Sequence, residues 1–196
     1  MSVYDAVVSR RTVRQFQPVS VPRPLLEKIV NAARLAPSAG NLQPLEFLVV
    51  DDEETRKLIF PCLRWASYIA PEGDPRPGHE PMAYIIPLVN LAAREKAYEY
   101  DVGAAMENMI LTAWEEGLGS CWLISVERKK VAEVLAVPEG YQIDSVLALG
   151  YPAESPVAEE FKGSVKYWKD EAGVLHVPKR KLEDVLHLNR FRSRPR

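Results

Sequence analysis

Apolar residues recur along the chain at two spacings. Between residues 22 and 36, Leu25, Leu26, Ile29, Val30 and Ala33 fall three and four apart, the spacing of one buried helix face. Pro22 and Pro24 suit the first turn of that helix, and Pro37 stops it. Before it, Ser2 and Asp5 read as a capping pair that opens a short helix ending near a group of arginines. Residues 45–50 predict a short buried strand, 53–60 a surface helix, and 82–89 a second strand in which Pro87 suggests an edge or a bulge.

The longest helix is expected over residues 95–116, ended by Gly117. Its apolar residues Val102, Ala105, Met106, Met109, Ile110, Ala113 and Trp114 cover more than one stripe, so it needs partners on several sides, within the domain or across a subunit boundary. Gly103, Ala104 and Ala105 leave room for another backbone. Further on, residues 120–124 and 143–149 read as strands, the second closed by Gly150. Residues 128–135 read as a helix, 173–177 as a strand and 182–189 as a final helix. Residues 69–81 hold four prolines and two glycines and predict a long loop of the kind that often carries function. Strands and helices intermingle without regular βαβ alternation and the helices outweigh the strands. The expected class is α+β.

With 196 residues the chain suits a single domain with a full core. Its longest nearly apolar stretch, 83–93, is short of the ~18–20 residues that span a bilayer. The start of the chain lacks a secretory pattern. Cys62 and Cys121 are far apart, and His79, His176 and His187 have no metal-ligand spacing, so neither a zinc site nor a disulfide framework is expected and a reducing cytoplasm fits.

Charge changes the picture at one place. Arg10, Arg11 and Arg14 fall within five residues of a chain whose formal net charge is −2. A nucleic-acid binder would spread its basic residues over a face and raise the pI above about 9; here the pI is near 6.0. A local cluster suits one compact anion, such as a phosphate, met by guanidinium forks, the Thr12 hydroxyl and backbone N–H groups. A solvated helix end accounts for the same arginines equally well. Lys179, Arg180 and Lys181 form a second basic group. Between them the loop over 37–44 offers Ser38, Asn41 and Gln43, whose amides can both donate and accept, as the edge of a heteroaromatic ring requires. No GxGxxG or GxxxxGK[ST] motif is present, Ser38 lacks a GxSxG setting, and Cys121 reads as core.

In order along the chain, Ser9-Arg10-Arg11-Thr12-Val13-Arg14-Gln15-Phe16, Ala36-Pro37-Ser38-Ala39-Gly40-Asn41-Leu42-Gln43-Pro44, Gly117-Leu118-Gly119-Ser120-Cys121-Trp122, Ala148-Leu149-Gly150-Tyr151-Pro152 and Val177-Pro178-Lys179-Arg180-Lys181-Leu182-Glu183 resemble the segments of the nitroreductase-like FMN-dependent oxidoreductase family. The resemblance implies one domain over 1–196 with a central, mostly antiparallel sheet flanked by helices. It also implies an intertwined homodimer with two flavin sites at its interface. Arg10 and Thr12 would hold the FMN phosphate and ribityl chain, joined by Lys179, Arg180 or Lys181, with Arg11 along the same segment. Arg14 would reach the pyrimidine edge of the ring and tune the flavin. Pro37, Ser38, Ala39, Asn41 and Gln43 would line ring and ribityl, and Leu123, Ile124 and Ser125 would offer backbone groups toward N5. Residues 61–81 would face the substrate and 161–196 would reach the partner subunit. The implied activity is NAD(P)H-driven, ping-pong reduction of a small organic acceptor such as a nitroaromatic or quinone through N5. Since the flavin does the chemistry, no catalytic side chain and no metal is expected. Dehalogenation, desaturation, flavin fragmentation and non-catalytic flavin binding remain alternatives on the same scaffold.

Overall fold

The computed structural model of the protein describes residues 1–191. Ser2 opens helix α1 (Val3–Ser9) with the capping box read from the sequence: its hydroxyl accepts the Asp5 N–H at 3.1 Å and its own N–H donates to the Asp5 carboxylate at 3.0 Å. There follow α2 (Arg23–Arg34), β1 (Leu45–Val50), α3 (Glu53–Ile59), β2 (Ala83–Asn90), α4 (Glu99–Glu115), β3 (Gly119–Leu123), α5 (Arg128–Val134), β4 (Tyr141–Ile143), β5 (Val146–Gly150), β6 (Val157–Glu160), β7 (Trp168–Lys169), β8 (Leu175–Lys179) and α6 (Leu182–Val185). The main sheet runs β1-β2-β5-β3 with β4 beside the far end of β2, and every pairing in it is antiparallel. The α+β expectation holds.

β2 divides the core. Ala83, Ile85 and Val89 join Leu26, Ile29, Val102 and Met106 of the α2–α4 layer. Tyr84, Ile86 and Leu88 face the other way, toward Ile59, Cys121, Leu123 and Val131. A strand covered on both faces reads as a continuous apolar run, which is why residues 82–89 show no alternation. β1, expected to be buried, is instead a half-covered edge strand in which only Val50 is fully inside.

Pro87 marks the bulge of the expected edge or bulge, and not the edge: between Ile85↔Leu147 and Leu88↔Ile143, Ile86 and Pro87 face the three residues 144–146. It lies mid-strand in β2, opposite Phe47 on one side. On the other side the expected strand over 143–149 is two strands, β4 and β5, and their pairing with β2 skips Ile86 and Pro87. The Pro87 carbonyl accepts the Asp144 N–H in that gap at 3.4 Å. A residue's N and C=O point to the same side of a strand, so the missing N–H faces the break and no ladder bond is lost.

The helix expected from residue 95 begins at Glu99. Asn90 accepts the N–H groups of Ala92 and Ala93, Ala97 is left-handed (φ 58°), and Arg94 donates to the carbonyls of Lys96 and Ala97, so 91–98 is a side-chain-bonded turn. The other end follows expectation. Gly117 takes φ 78°, its N–H bonds the Trp114 carbonyl and the Leu118 N–H bonds that of Ala113, closing a Schellman motif.

One C-terminal expectation needs correction: the final helix spans only Leu182–Val185. Strands β6 and β7, which short polar segments conceal, flank β8 in a second sheet. Leu175 is buried, Tyr167 packs on Tyr68 and Lys169 donates to the Glu72 carbonyl. Residues 192–196 of the C-terminal segment lie outside the described residues.

Gly119 and Gly150 pair directly across β3 and β5. A Cβ on Gly119 would lie 2.7 Å from the Cβ of Val13, and one on Gly150 2.9 Å from the Phe16 ring. The two glycines are the seats into which Val13 and Phe16 fit. Gly119→Ala is expected to destabilise the fold by about 1–3 kcal/mol through overpacking, read from urea unfolding, and Val13→Ala in the same chain should recover part of it. A neutral Gly119→Ala would mean that residues 10–16 are loosely held.

Candidate functional site

Residues 10–16 run beside the end of β3. Thr12 bridges Ser120, the Val13 N–H donates to the Ser120 carbonyl at 2.9 Å, Phe16 bridges Pro152, and the Ala153 N–H donates to the Gln15 carbonyl at 2.8 Å. Val13 and Phe16 are buried in the glycine seats, while Arg10, Thr12 and Arg14 keep partial exposure. In an extended segment alternate residues share a face, so these three lie along one side.

The arginines have different employment. Arg11 turns back on α1 and donates to the carbonyls of Val8 and Arg10, so in this chain it is the helix-end charge. Burial also pulls its pKa down, with the neighbouring Arg10 charge adding to the effect. Arg10 and Arg14 each have a buried Nε without a hydrogen-bond partner among the described residues. The Arg14 guanidinium lies 5.2 Å from the centre of the Tyr167 ring, and its backbone N–H donates to Glu154 at 2.5 Å. Behind it, burial pushes the Cys121 thiol up to about 11 against the pull of the Arg14 charge, which keeps the thiol neutral.

The loop over 37–44 is fixed from α4. Asp101, almost wholly buried, accepts the Ala39 N–H at 3.1 Å and pairs with Arg94 at 3.4 Å. Ser38 accepts the Gln43 N–H, and Gly40, Asn41 and Gln43 are all left-handed, at φ 61°, 55° and 47°. Such conformations persist in non-glycine residues only where surroundings hold them, and they cluster at binding sites. The Asn41 and Gln43 side chains are exposed, and Pro37, Ser38 and Gln43 line a cavity of about 150 Å³ with Asp101 and Ala105.

Leu123 closes β3 as a buried residue, and the exposed Ile124 and Ser125 follow; their carbonyls accept from Arg128 and from the Arg64 N–H. Lys179, Arg180 and Lys181 are exposed at the end of β8. Arg180 donates to the Asp184 carbonyl, Lys181 pairs with Glu160 at 2.8 Å, and the Lys179 side chain makes no such bond among the described residues.

Within one protomer no hydrogen bond or ion pair among the described residues joins residues 10–16 to the 37–44 loop. What the structure does join to the arginines is the long loop. Buried Gln15 donates to the Asp74 carbonyl and accepts from Arg76, and Phe16 and His79 are bonded through their backbones. Sequence reasoning missed Gln15, Glu154, Tyr167, Arg94 and Asp101. Asp101 alone carried a signal, as a charge in line with the buried positions Ala105 and Met109 of α4. Among the described residues no group of three or more His, Cys, Asp or Glu could hold a metal ion, and no helix is long and apolar enough to cross a membrane.

Comparison with known proteins places this arrangement. The profile of the nitroreductase family matches residues 7–151. A protein of Archaeoglobus fulgidus named as a putative NADH dehydrogenase/NAD(P)H nitroreductase is 33% identical over 157 residues, 76% of this chain and 84% of that one. Among solved structures, an FMN-dependent nitroreductase of Clostridium difficile superposes with a TM-score of 0.69 at 25% identity, covering 96% of this chain and 99% of the other. A nitroreductase-type protein of Desulfovibrio desulfuricans, solved in complex with FMN, shares the fold with a TM-score of 0.69 at 23% identity over 98% and 99% of the two chains. From the arginine segment to the end of the main sheet, the chain belongs to the nitroreductase family of oxidoreductases.

Proposed function

We propose that the protein binds FMN and uses NAD(P)H to reduce a small organic acceptor, with the flavin held between two copies of the chain. The observation that carries this reading is the pair of buried, partnerless Nε donors of Arg10 and Arg14 on a segment locked to the sheet. Buried donors left unpaired are costly, and an anionic, acceptor-rich group satisfies both. When bound, FMN supplies the hydride chemistry at its ring. Arg10 and Thr12 bind the phosphate end, and Lys179, whose side chain makes no bond among the described residues, turns toward it. Arg14 lends fixed positive charge to the pyrimidine edge and so favours the reduced flavin.

The exposed amides of Asn41 and Gln43 orient the ring from a loop fixed to α4. No hydrogen bond or ion pair among the described residues joins that loop to the arginine segment, and we assign the two to facing copies. Supporting this, α1 exposes Val3, Tyr4, Val7 and Val8, α4 exposes Tyr100, and the C-terminal stretch exposes Leu182, Leu188 and Phe191. Region 61–81 covers the acceptor: Leu63, Trp65, Ser67 and Asp74 line a cavity of about 530 Å³, and Gln15 ties its far side to the arginines.

Arg10→Ala is expected to weaken FMN binding by about 1.5–3 kcal/mol, the value of a charged hydrogen bond, and to leave riboflavin affinity nearly unchanged, as measured by flavin fluorescence titration. Equal losses for the two flavins would remove the phosphate from this site. Asp101→Ala strands Arg94 and the Ala39 N–H and should cost about 3–5 kcal/mol of stability together with flavin retention, whereas isosteric Asp101→Asn should lose less of both. Gly103 separates a dimer from a monomer: nothing lies within 4 Å of a Cβ added there. In an isolated chain Gly103→Ala should therefore stabilise α4 by about 0.5–1 kcal/mol. If another α4 backbone approaches closely there, the substitution should instead weaken association, read by light scattering on dilution.

A further inference from the structure

On the α3 side of the sheet lies a cavity of about 370 Å³, a volume in the range of small-molecule sites. Phe60, Pro18, Pro81 and Met82 give it apolar walls, and Arg56 and Tyr84 give it donors. It shares no lining residue with the arginine segment or with the 37–44 loop.

Tyr84 is 1% exposed and lines the cavity, and no hydrogen bond to its hydroxyl is found among the described residues. Burial raises the phenol pKa far above neutrality, so the group stays protonated and can donate. Arg56 donates through Nη1 to the Pro81 carbonyl at 2.9 Å, while its Nε is buried and partnerless. The acids nearby do not answer these donors. Glu53 is paired with Lys57 at 2.5 Å, and Glu80 accepts the Gly78 N–H at 2.9 Å. Glu53, Lys57 and Glu80 thus line the cavity as groups already engaged, while the Tyr84 O–H and the Arg56 Nε–H line it with no acceptor among the described residues.

We infer that this cavity is a second ligand site, for a small carboxylate with an apolar body. Its two oxygens take the Tyr84 O–H and the Arg56 Nε–H, and its hydrocarbon part lies against Phe60 and Met82. The positive charge of Arg56 selects an anion over a neutral carbonyl. A phosphate would bring strongly hydrated oxygens against the apolar walls of Phe60, Pro81 and Met82. Occupancy braces the end of the long loop, since Gly78, Glu80 and Pro81 belong to the cavity and neighbouring His79 is bonded to Phe16.

The test is fluorine NMR titration of the flavin-loaded protein with para-fluorobenzoate and para-fluorophenylpropionate, each against its uncharged amide. At least one acid should bind saturably, about tenfold or more tightly than its amide, and its affinity should fall about tenfold or more in both Tyr84→Phe and Arg56→Gln. Tyr84→Phe should leave the unfolding temperature unchanged, because the hydroxyl has no internal bond to lose. No saturable binding of either acid, or binding that both substitutions leave untouched, would overturn the proposal. A clear drop in the unfolding temperature of Tyr84→Phe would also overturn it, by showing that the hydroxyl serves the fold.

Discussion

Everything placed near the arginines depends on one steric constraint. Two glycines face each other at the end of the β3–β5 ladder, and their missing side chains admit Val13 and Phe16. Once those two apolar groups are buried, the backbone between them has a single course, and its bonds to Ser120, Tyr151 and Ala153 fix the register. In an extended chain side chains alternate, so burying Val13 turns its neighbours Thr12 and Arg14 to the opposite face. The basic group is positioned by hydrophobic packing, and charge enters only afterwards.

Carboxylates withdrawn from water then set the finer geometry. Buried Asp101 and half-buried Glu154 each accept a backbone N–H from a segment distant in sequence, Ala39 in one case and Arg14 in the other. Such a carboxylate is costly unless its acceptor sites are used, so each enforces the position of the strand or loop it holds. The left-handed Asn41 and Gln43 are tolerated because Asp101 fixes one end of their loop and Pro44, buried beside Asn90, fixes the other.

Periodicity made most helices and the inner strands legible, because α2 and β2 bury the residues that local spacing marks. It failed where the deciding contact is remote. Pro87 reads as an edge or a bulge until the gap between β4 and β5 is known, and the turn over 91–98 depends on side chains of Asn90 and Arg94 that no periodic pattern encodes. Strands β6 and β7 are short, largely exposed and stabilised by pairing with β8, so they leave no apolar signature. At the candidate site, motif order singled out the arginine segment and the 37–44 loop. It did not separate Arg11, which donates back to its own helix, from Arg10 and Arg14, whose Nε donors have no partner among the described residues. That distinction is one of side-chain direction, which a linear pattern does not contain.

The Schellman turn at Gly117 has a mechanical consequence. Only Leu118 separates it from the glycine that seats Val13, and Leu118 is buried with its N–H bonded back to Ala113. The last turn of α4 and the seat of Val13 are therefore set by one short, buried connection, so a substitution that shifts that turn also shifts the strand end against which the arginine segment packs.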